Sequence, residues 1–152
     1  MEETAITLHP VPWDAPEAVA LREEQRVEIE ERYGPDSEPG PAPSGADVAV
    51  FLVARAGGEP VGCGALRPLE PGAAEVKRMY VVPEWRGRGV SVRILTGLER
   101  AAVDQGWRTL RLETGPKQPE AIRLYERSGY VRIPNYGHYI GHDDSLCYER
   151  IL

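Results

Sequence analysis

The residues best suited to chemistry lie in Val81-Val82-Pro83-Glu84-Trp85-Arg86-Gly87-Arg88-Gly89-Val90-Ser91. There an apolar strand gives way to a glycine-rich turn and then to an amphipathic helix. Such a helix entrance points several backbone N–H groups at one spot, where the helix macrodipole also favours negative charge. Arg86 and Arg88 add mobile positive charge beside it. The reading is a cradle for a diphosphate, with an ordinary exposed charge as the other reading of either arginine. Two known phosphate loops do not fit the spelling. A Walker loop ends in Gly-Lys-Ser/Thr, and none occurs here. The dinucleotide fingerprint needs a third glycine at position 92, which is Val92.

The elements that must position this cradle can be read from hydrophobic spacing. A short strand is expected over 5–8. A helix is expected from about Pro16 to Tyr33, with Ala18, Leu21, Gln25, Ile29 and Tyr33 at helical intervals. Residues 34–45 hold four prolines and three glycines and read as a loop, either a flap over a site or a passive surface segment. Three strands, 48–54, 61–66 and 74–82, form a meander that feeds the cradle. Helix 91–105 carries Ile94, Leu95, Leu98, Ala101 and Ala102 on one face and stops at Gly106. A strand over 109–113, a helix from Pro119 that Gly129 ends, and strands over 130–133 and 145–151 complete the chain.

Length and composition narrow the function classes. The 152 residues read as one domain, 1–152, large enough to bury its own core. A net charge of −6 argues against a general nucleic-acid footprint, which would be basic, and hints at cationic substrates. Cys63 and Cys147 form no framework pattern and read as small core residues. Met1-Glu2-Glu3-Thr4 is acidic without an apolar leader core, and the longest apolar run, Val48 to Ala54, is too short for a bilayer. The expectation is a soluble cytoplasmic protein with neither membrane nor nucleic-acid partners.

Two motifs carry a resemblance. Arg86, Gly89 and Ser91 fall on the acetyl-CoA loop of the GNAT superfamily of N-acetyltransferases, written Gln/Arg-x-x-Gly-x-Gly/Ala, with small Ser91 in place of the usual last residue. Ala121-Ile122-Arg123-Leu124-Tyr125-Glu126-Arg127-Ser128-Gly129-Tyr130 resembles that superfamily's Ala-x-x-Leu-Tyr-x-x-x-Gly-Phe/Tyr signature. The resemblance implies an α/β fold of the GNAT (acyl-CoA N-acyltransferase) type. Its central sheet is mixed, mostly antiparallel and splayed, with helices flanking it. It further implies that the pantetheine arm of acetyl-CoA enters the splay and pairs with main-chain groups of Met79 and Val81. N–H groups of Gly87, Arg88, Gly89, Val90 and Ser91 would hold the diphosphate. Gln118, seven residues before Tyr125 and so on the same helix face, stands where many members carry a pantetheine- or water-binding Asn; an unusual helix N-cap is the alternative. Dimers are common in the resembling family.

Acetyl transfer to an amine needs a base to free the nitrogen, donors for the oxyanion and an acid for the departing thiolate. A phenol with a pKa of about 10 stays protonated near neutrality, which makes Tyr125 the candidate acid; a core tyrosine is the competing reading. Glu75, eleven positions before Arg86, matches the base glutamate of the histone-type branch of the family. Alternation along Glu75, Lys77, Met79 and Val81 is expected to put it on the face of the pantetheine-pairing residues; a solvated strand-end carboxylate is the alternative. His138 and His142, with Asp143 and Asp144, lie in a loop, and no metal is expected. Tyr136, His138 and Tyr139 line the acceptor pocket or merely a surface hairpin. The expectation is direct acetyl transfer from acetyl-CoA, as cosubstrate, to a primary amine of a small molecule or peptide. A non-catalytic acyl-CoA-binding sensor or regulatory module is the alternative, and a nucleotide-binding domain a third reading.

Overall fold

The computed structural model describes residues 4–152; Met1-Glu2-Glu3, on which the expectation about a leader rests, lies outside them. The elements run β1 (Ile6–Pro10), α1 (Pro16–Tyr33), β2 (Val50–Ala56), β3 (Glu59–Glu70), β4 (Ala73–Val81), α2 (Val90–Asp104), β5 (Thr109–Thr114), α3 (Pro119–Arg127), β6 (Val131–Ile133) and β7 (Leu146–Ile151). Two single 3₁₀ turns, Pro83–Trp85 and Gly137–Tyr139, were not expected. Strand and helix ends differ from the expectation by only a few residues. The larger difference is in β3, which runs through Pro68, opposite Ala74, because a register shift between Pro68 and Glu70 gives the proline the irregular position it tolerates.

Seven strands form one sheet in the order β1-β2-β3-β4-β5-β7-β6. Only β4 and β5 run parallel; every other neighbour is antiparallel. α1 covers one face, where Ala18 and Leu21 pack on Phe51, Val53, Cys63, Ala65 and Tyr80. α2 covers the other, burying Val90, Ile94, Leu95, Leu98 and Ala102 against Leu66, Val76, Leu110 and Leu112, with Tyr125 of α3 in the same cluster. The glycines of β3 make that packing close. A Cβ on Gly62 would stand 2.8 Å from the Tyr80 carbonyl oxygen and 2.9 Å from Ile94 Cδ1.

Two departures from a regular sheet shape the region around the cradle. β4 and β5 pair only over Ala73–Glu75 and Thr109–Arg111, yet β4 continues to Val81 and β5 to Thr114. The strands part, as the resemblance implied. β4 also carries a bulge. Cys63 lies opposite Tyr80 and Ala65 opposite Lys77, so Gly64 faces two residues, and one of them, Arg78, has φ +58°. The extra residue reverses the parity of the strand.

Gly62→Ala is expected to lower stability by about 1–3 kcal/mol, because backbone rather than a flexible side-chain end opposes the new methyl group. Urea unfolding monitored by circular dichroism checks this.

Candidate active site

The turn read above as a candidate diphosphate cradle is built from left-handed backbone. Gly87 has φ +77° and Gly89 φ +80°, both with open space where a Cβ would sit, so glycine serves conformation there rather than room. Gly89 is the N-cap of α2, and no side chain caps that helix. Its first N–H groups therefore remain available to an anion. Val90 begins the helix buried in the core, and Ser91 is half-buried beside it. Arg88 lies 4.7 Å from the centre of the Trp85 ring and forms no ion pair among the described residues. Arg86 is committed elsewhere: its Nε donates to the Val81 carbonyl at 2.9 Å and its guanidinium pairs with Glu28 of α1 at 2.8 Å. Arg86 thus ties the loop to the end of β4.

Beyond the bulge, main-chain groups turn towards the gap. The Val82 N–H donates to Val61 of β3, so by alternation Val81, and Met79 two residues earlier, face the side from which β5 has departed. The Met79 carbonyl accepts from Gln25 Nε2 at 2.9 Å, and the Val81 carbonyl from Arg86. Each carbonyl keeps one lone pair for a further partner. Gln25 Oε1 is buried without a partner among the described residues. A polar strip from α1 therefore lies along the gap.

One expectation needs correction. Glu75 and Lys77 do not share a face with Met79 and Val81, because the bulge at Arg78 reverses the alternation between them. Lys77 lies opposite Ala65, on the α1 face, while Met79 packs into the α2 core. Glu75 is 1% exposed, and both its oxygens are engaged. Arg67 Nη2 donates to Oε1 at 2.7 Å; the Tyr136 and Tyr139 hydroxyls donate to Oε2 at 2.6 and 3.0 Å. This carboxylate anchors the β6–β7 connection to the sheet. Tyr139 is consequently buried, and Tyr136 is half-buried with its hydroxyl turned in to Glu75. His138 projects towards Gly40, whose missing Cβ would lie 2.5 Å from its ring. Among the described residues no three His, Cys, Asp or Glu side chains gather into a metal-ligand set.

A second carboxyl on the same face went unnoticed in the sequence. Leu110 and Leu112 of β5 enter the α2 core, so Glu113 points to the α1 side, where the Ser145 hydroxyl donates to it at 2.8 Å. Burial pushes its pKa above the ordinary carboxyl value, against the opposing Ser145 hydrogen bond and Lys77 charge. Tyr125 lies across the sheet among the α2 core, 5.8 Å from the Tyr130 ring. Burial first, and the Glu113 charge second, raise the Tyr125 phenol above its ordinary value. Tyr125 forms no hydrogen bond through its hydroxyl among the described residues. Gln118 is the N-cap of α3, as the alternative reading had it, but its side chain does not cap the helix. Its Oε1 lies 3.5 Å from the Tyr33 hydroxyl, which accepts from the Lys117 N–H.

Residues 9–130 match the Acetyltransferase (GNAT) family. The chain belongs to that family. It is 42% identical over 103 residues, 67% of either chain, to a protein of Azospirillum brasilense named IAA acetyltransferase. It is 32% identical over 127 residues, 82% of this chain and 70% of the relative, to a protein of Escherichia coli named uncharacterized N-acetyltransferase YjgM. A Klebsiella pneumoniae structure described as an acyl-CoA N-acyltransferase superposes with TM-score 0.83 at 32% identity, over 97% of both chains. A GNAT family acetyltransferase of Elizabethkingia anophelis with acetyl-CoA bound shares the fold at TM-score 0.70 and 18% identity, over 97% of this chain and 98% of its own. This GNAT protein is an acetyl-CoA-dependent acyltransferase, and the parted strands and uncapped α2 entrance are the features of the chain that fit the acyl donor.

Gly89→Ala is expected to weaken acetyl-CoA binding about tenfold, since an alanine at that φ is strained by roughly 1–2 kcal/mol. Isothermal titration calorimetry measures it, with circular dichroism reporting an unchanged fold.

Proposed function

We propose that the chain is an N-acetyltransferase in which a primary amine of a small molecule or peptide attacks the thioester directly. The observation that carries this reading is the placement of two ionisable groups on opposite faces of the sheet at β5, the strand that borders the gap. Glu113 faces the α1 side and Tyr125 the α2 side, close enough for the Glu113 charge to act on the phenol. An amine arriving from the α1 side meets a carboxyl whose raised pKa makes it a better proton acceptor. A thiolate leaving towards the α2 side meets a phenol that holds its proton at neutral pH. Desolvation weakens that phenol as an acid, and the same surroundings raise the thiol's affinity for the proton, so the transfer stays matched. The Met79 and Val81 peptide groups and the N–H groups of Gly87 to Ser91 align the donor, with Arg88 adding charge. Gln118 lies at the far end of the tyrosine helix, beside Tyr33, and has no proton to move.

In this reading Glu75 is a positioning residue. Its burial and its three donors keep the carboxylate from an incoming amine, and its task is to hold Tyr136 and Tyr139 as the wall of the acceptor site.

Tyr125→Phe is expected to lower kcat about 10²-fold while the acetyl-CoA Kd stays within twofold. Stopped thiol-release assays and calorimetry separate the two quantities. Equal loss of both would remove the phenol from the proton path.

Glu113→Gln is expected to lower kcat/KM by about 10²-fold or more and to abolish the acidic limb of its pH profile. That limb lies above the ordinary carboxyl pKa of 4.5 because burial raises this group. Glu75→Gln should keep the limb. A profile that loses it in Glu75→Gln instead would return the base to Glu75.

A further inference from the structure

We propose that Lys77 and Arg78 form a carboxylate-binding subsite of the acceptor site, occupied in this structure by the Glu38 side chain, and that the acceptor is an amine that also carries a carboxylate. The proposal rests on the acyl-transfer reading and names the class of its acceptor.

The geometry is that of a carboxylate site. Arg78 Nη1 and Nη2 donate to Glu38 Oε2 and Oε1 at 2.7 and 3.0 Å, a fork on both oxygens, and Lys77 Nζ donates to Oε2 at 3.0 Å. Arginine meets carboxylates in this two-bond manner with both strength and directional selectivity. Burial alone would raise the Glu38 carboxyl, but Arg78 and Lys77 outweigh it and hold the group down to about 2. The pair therefore binds a carboxylate strongly.

Its place in the fold points to substrate. Lys77 and Arg78 sit at the bulge, where β4 leaves β5 and where a thioester in the gap would lie. Arg78 keeps φ +58° without being glycine, a backbone cost of roughly 1–2 kcal/mol that persists only where the surroundings impose it. Lys77 on β4 and Glu113 on the neighbouring β5 both face the α1 side of the sheet, and the charges of Lys77 and Glu38 act on Glu113. A small molecule with an amine a few bonds from its carboxylate spans subsite and proposed base.

The neighbouring cations are already spoken for by regular elements: Arg67 by Glu75 of β4, and Arg111 by Glu70 and Glu149 of β3 and β7. Lys77 and Arg78 differ, because their anion comes from residues 34–49, which contain neither helix nor strand. That segment is also held by Arg67, which donates to the Pro41 carbonyl at 3.2 Å and reaches Asp47 at 3.4 Å, and at its far end by the Ala49 N–H on the Leu66 carbonyl at 2.9 Å. The Lys77 side chain is 7% exposed. With Glu38 withdrawn it would keep only the Tyr139 hydroxyl at 3.2 Å, and Arg78 would keep no partner among the described residues. A buried ammonium in that condition demands another anion. Withdrawal of Glu38 and arrival of an acceptor carboxylate are thus coupled by charge.

The test is thiol release from acetyl-CoA with matched amines: a panel of amino acids, their methyl esters and their decarboxylated counterparts. The expected result is kcat/KM about ten- to a hundredfold higher for at least one free acid than for its ester, carried mainly by KM. Arg78→Gln, or Lys77→Gln should that variant not fold, should erase the difference by weakening the acid alone. Glu38→Ala should lower KM for the acid about threefold or more without altering KM for the ester, because it removes the competitor. A merely structural Glu38 would raise both. Thiol release that is equal for every acid and its ester overturns the subsite and leaves the transferase standing. Silence from every amine, with acetyl-CoA bound, overturns both.

Discussion

A sheet that lets two neighbouring strands part must leave peptide groups of both without ladder partners. The rest of this molecule is arranged around that deficit. Beyond Glu75 and Arg111 the β4 and β5 ladders have no common hydrogen bonds. Buried peptide groups left in that state cost on the order of 1–3 kcal/mol each. Gln25 and Arg86 meet part of the need at the Met79 and Val81 carbonyls. Both reach there from outside the sheet, so the gap stays open in its middle. An extended amide-bearing arm, such as the pantetheine chain of the acyl donor proposed above, can supply what remains.

The bulge in β4 then decides what faces each side of the opening. Without it, Lys77 and Met79 would share a surface, and the charged cluster would intrude on the α2 core. With it, Glu75 and Lys77 stand with Glu113 on the α1 side, while Met79 joins Ile94 and Leu98. One inserted residue separates a polar cluster from the apolar α2 core across the thickness of a single sheet. The Glu75 carboxylate holds that cluster together, accepting from two phenols of the β6–β7 connection and from the Arg67 guanidinium of β3.

Most of the fold was legible because its signals are local. The Ile94, Leu95, Leu98 and Ala102 stripe, Pro119 at a helix start and Gly106 after a helix end each speak through their immediate neighbours. The cradle was legible for the same reason, since Gly87 and Gly89 carry their conformational meaning alone. What failed was parity over a longer reach. Counting by twos from Glu75 to Val81 assumes a regular strand, and Arg78, a long charged residue at positive φ, gives no local sign of a bulge. Glu113 was readable in principle, because its alternation with Leu110 and Leu112 places it opposite the core. Glu38 was not, since nothing in a Pro- and Gly-rich stretch tells which carboxylate will cross to a strand 40 positions away.

Both sulfhydryls of the chain lie in the interior, Cys63 beneath α1 and Cys147 on β7. Burial pushes the Cys63 group up to about 12, and burial raises Cys147 as well. Neither forms appreciable nucleophilic sulfur anion at physiological acidity, so electrophilic dyes and mild oxidants find little on the folded protein to attack. Free coenzyme A released during turnover is thereby the dominant reactive sulfur in solution, and colorimetric titration of it proceeds with almost no contribution from the catalyst.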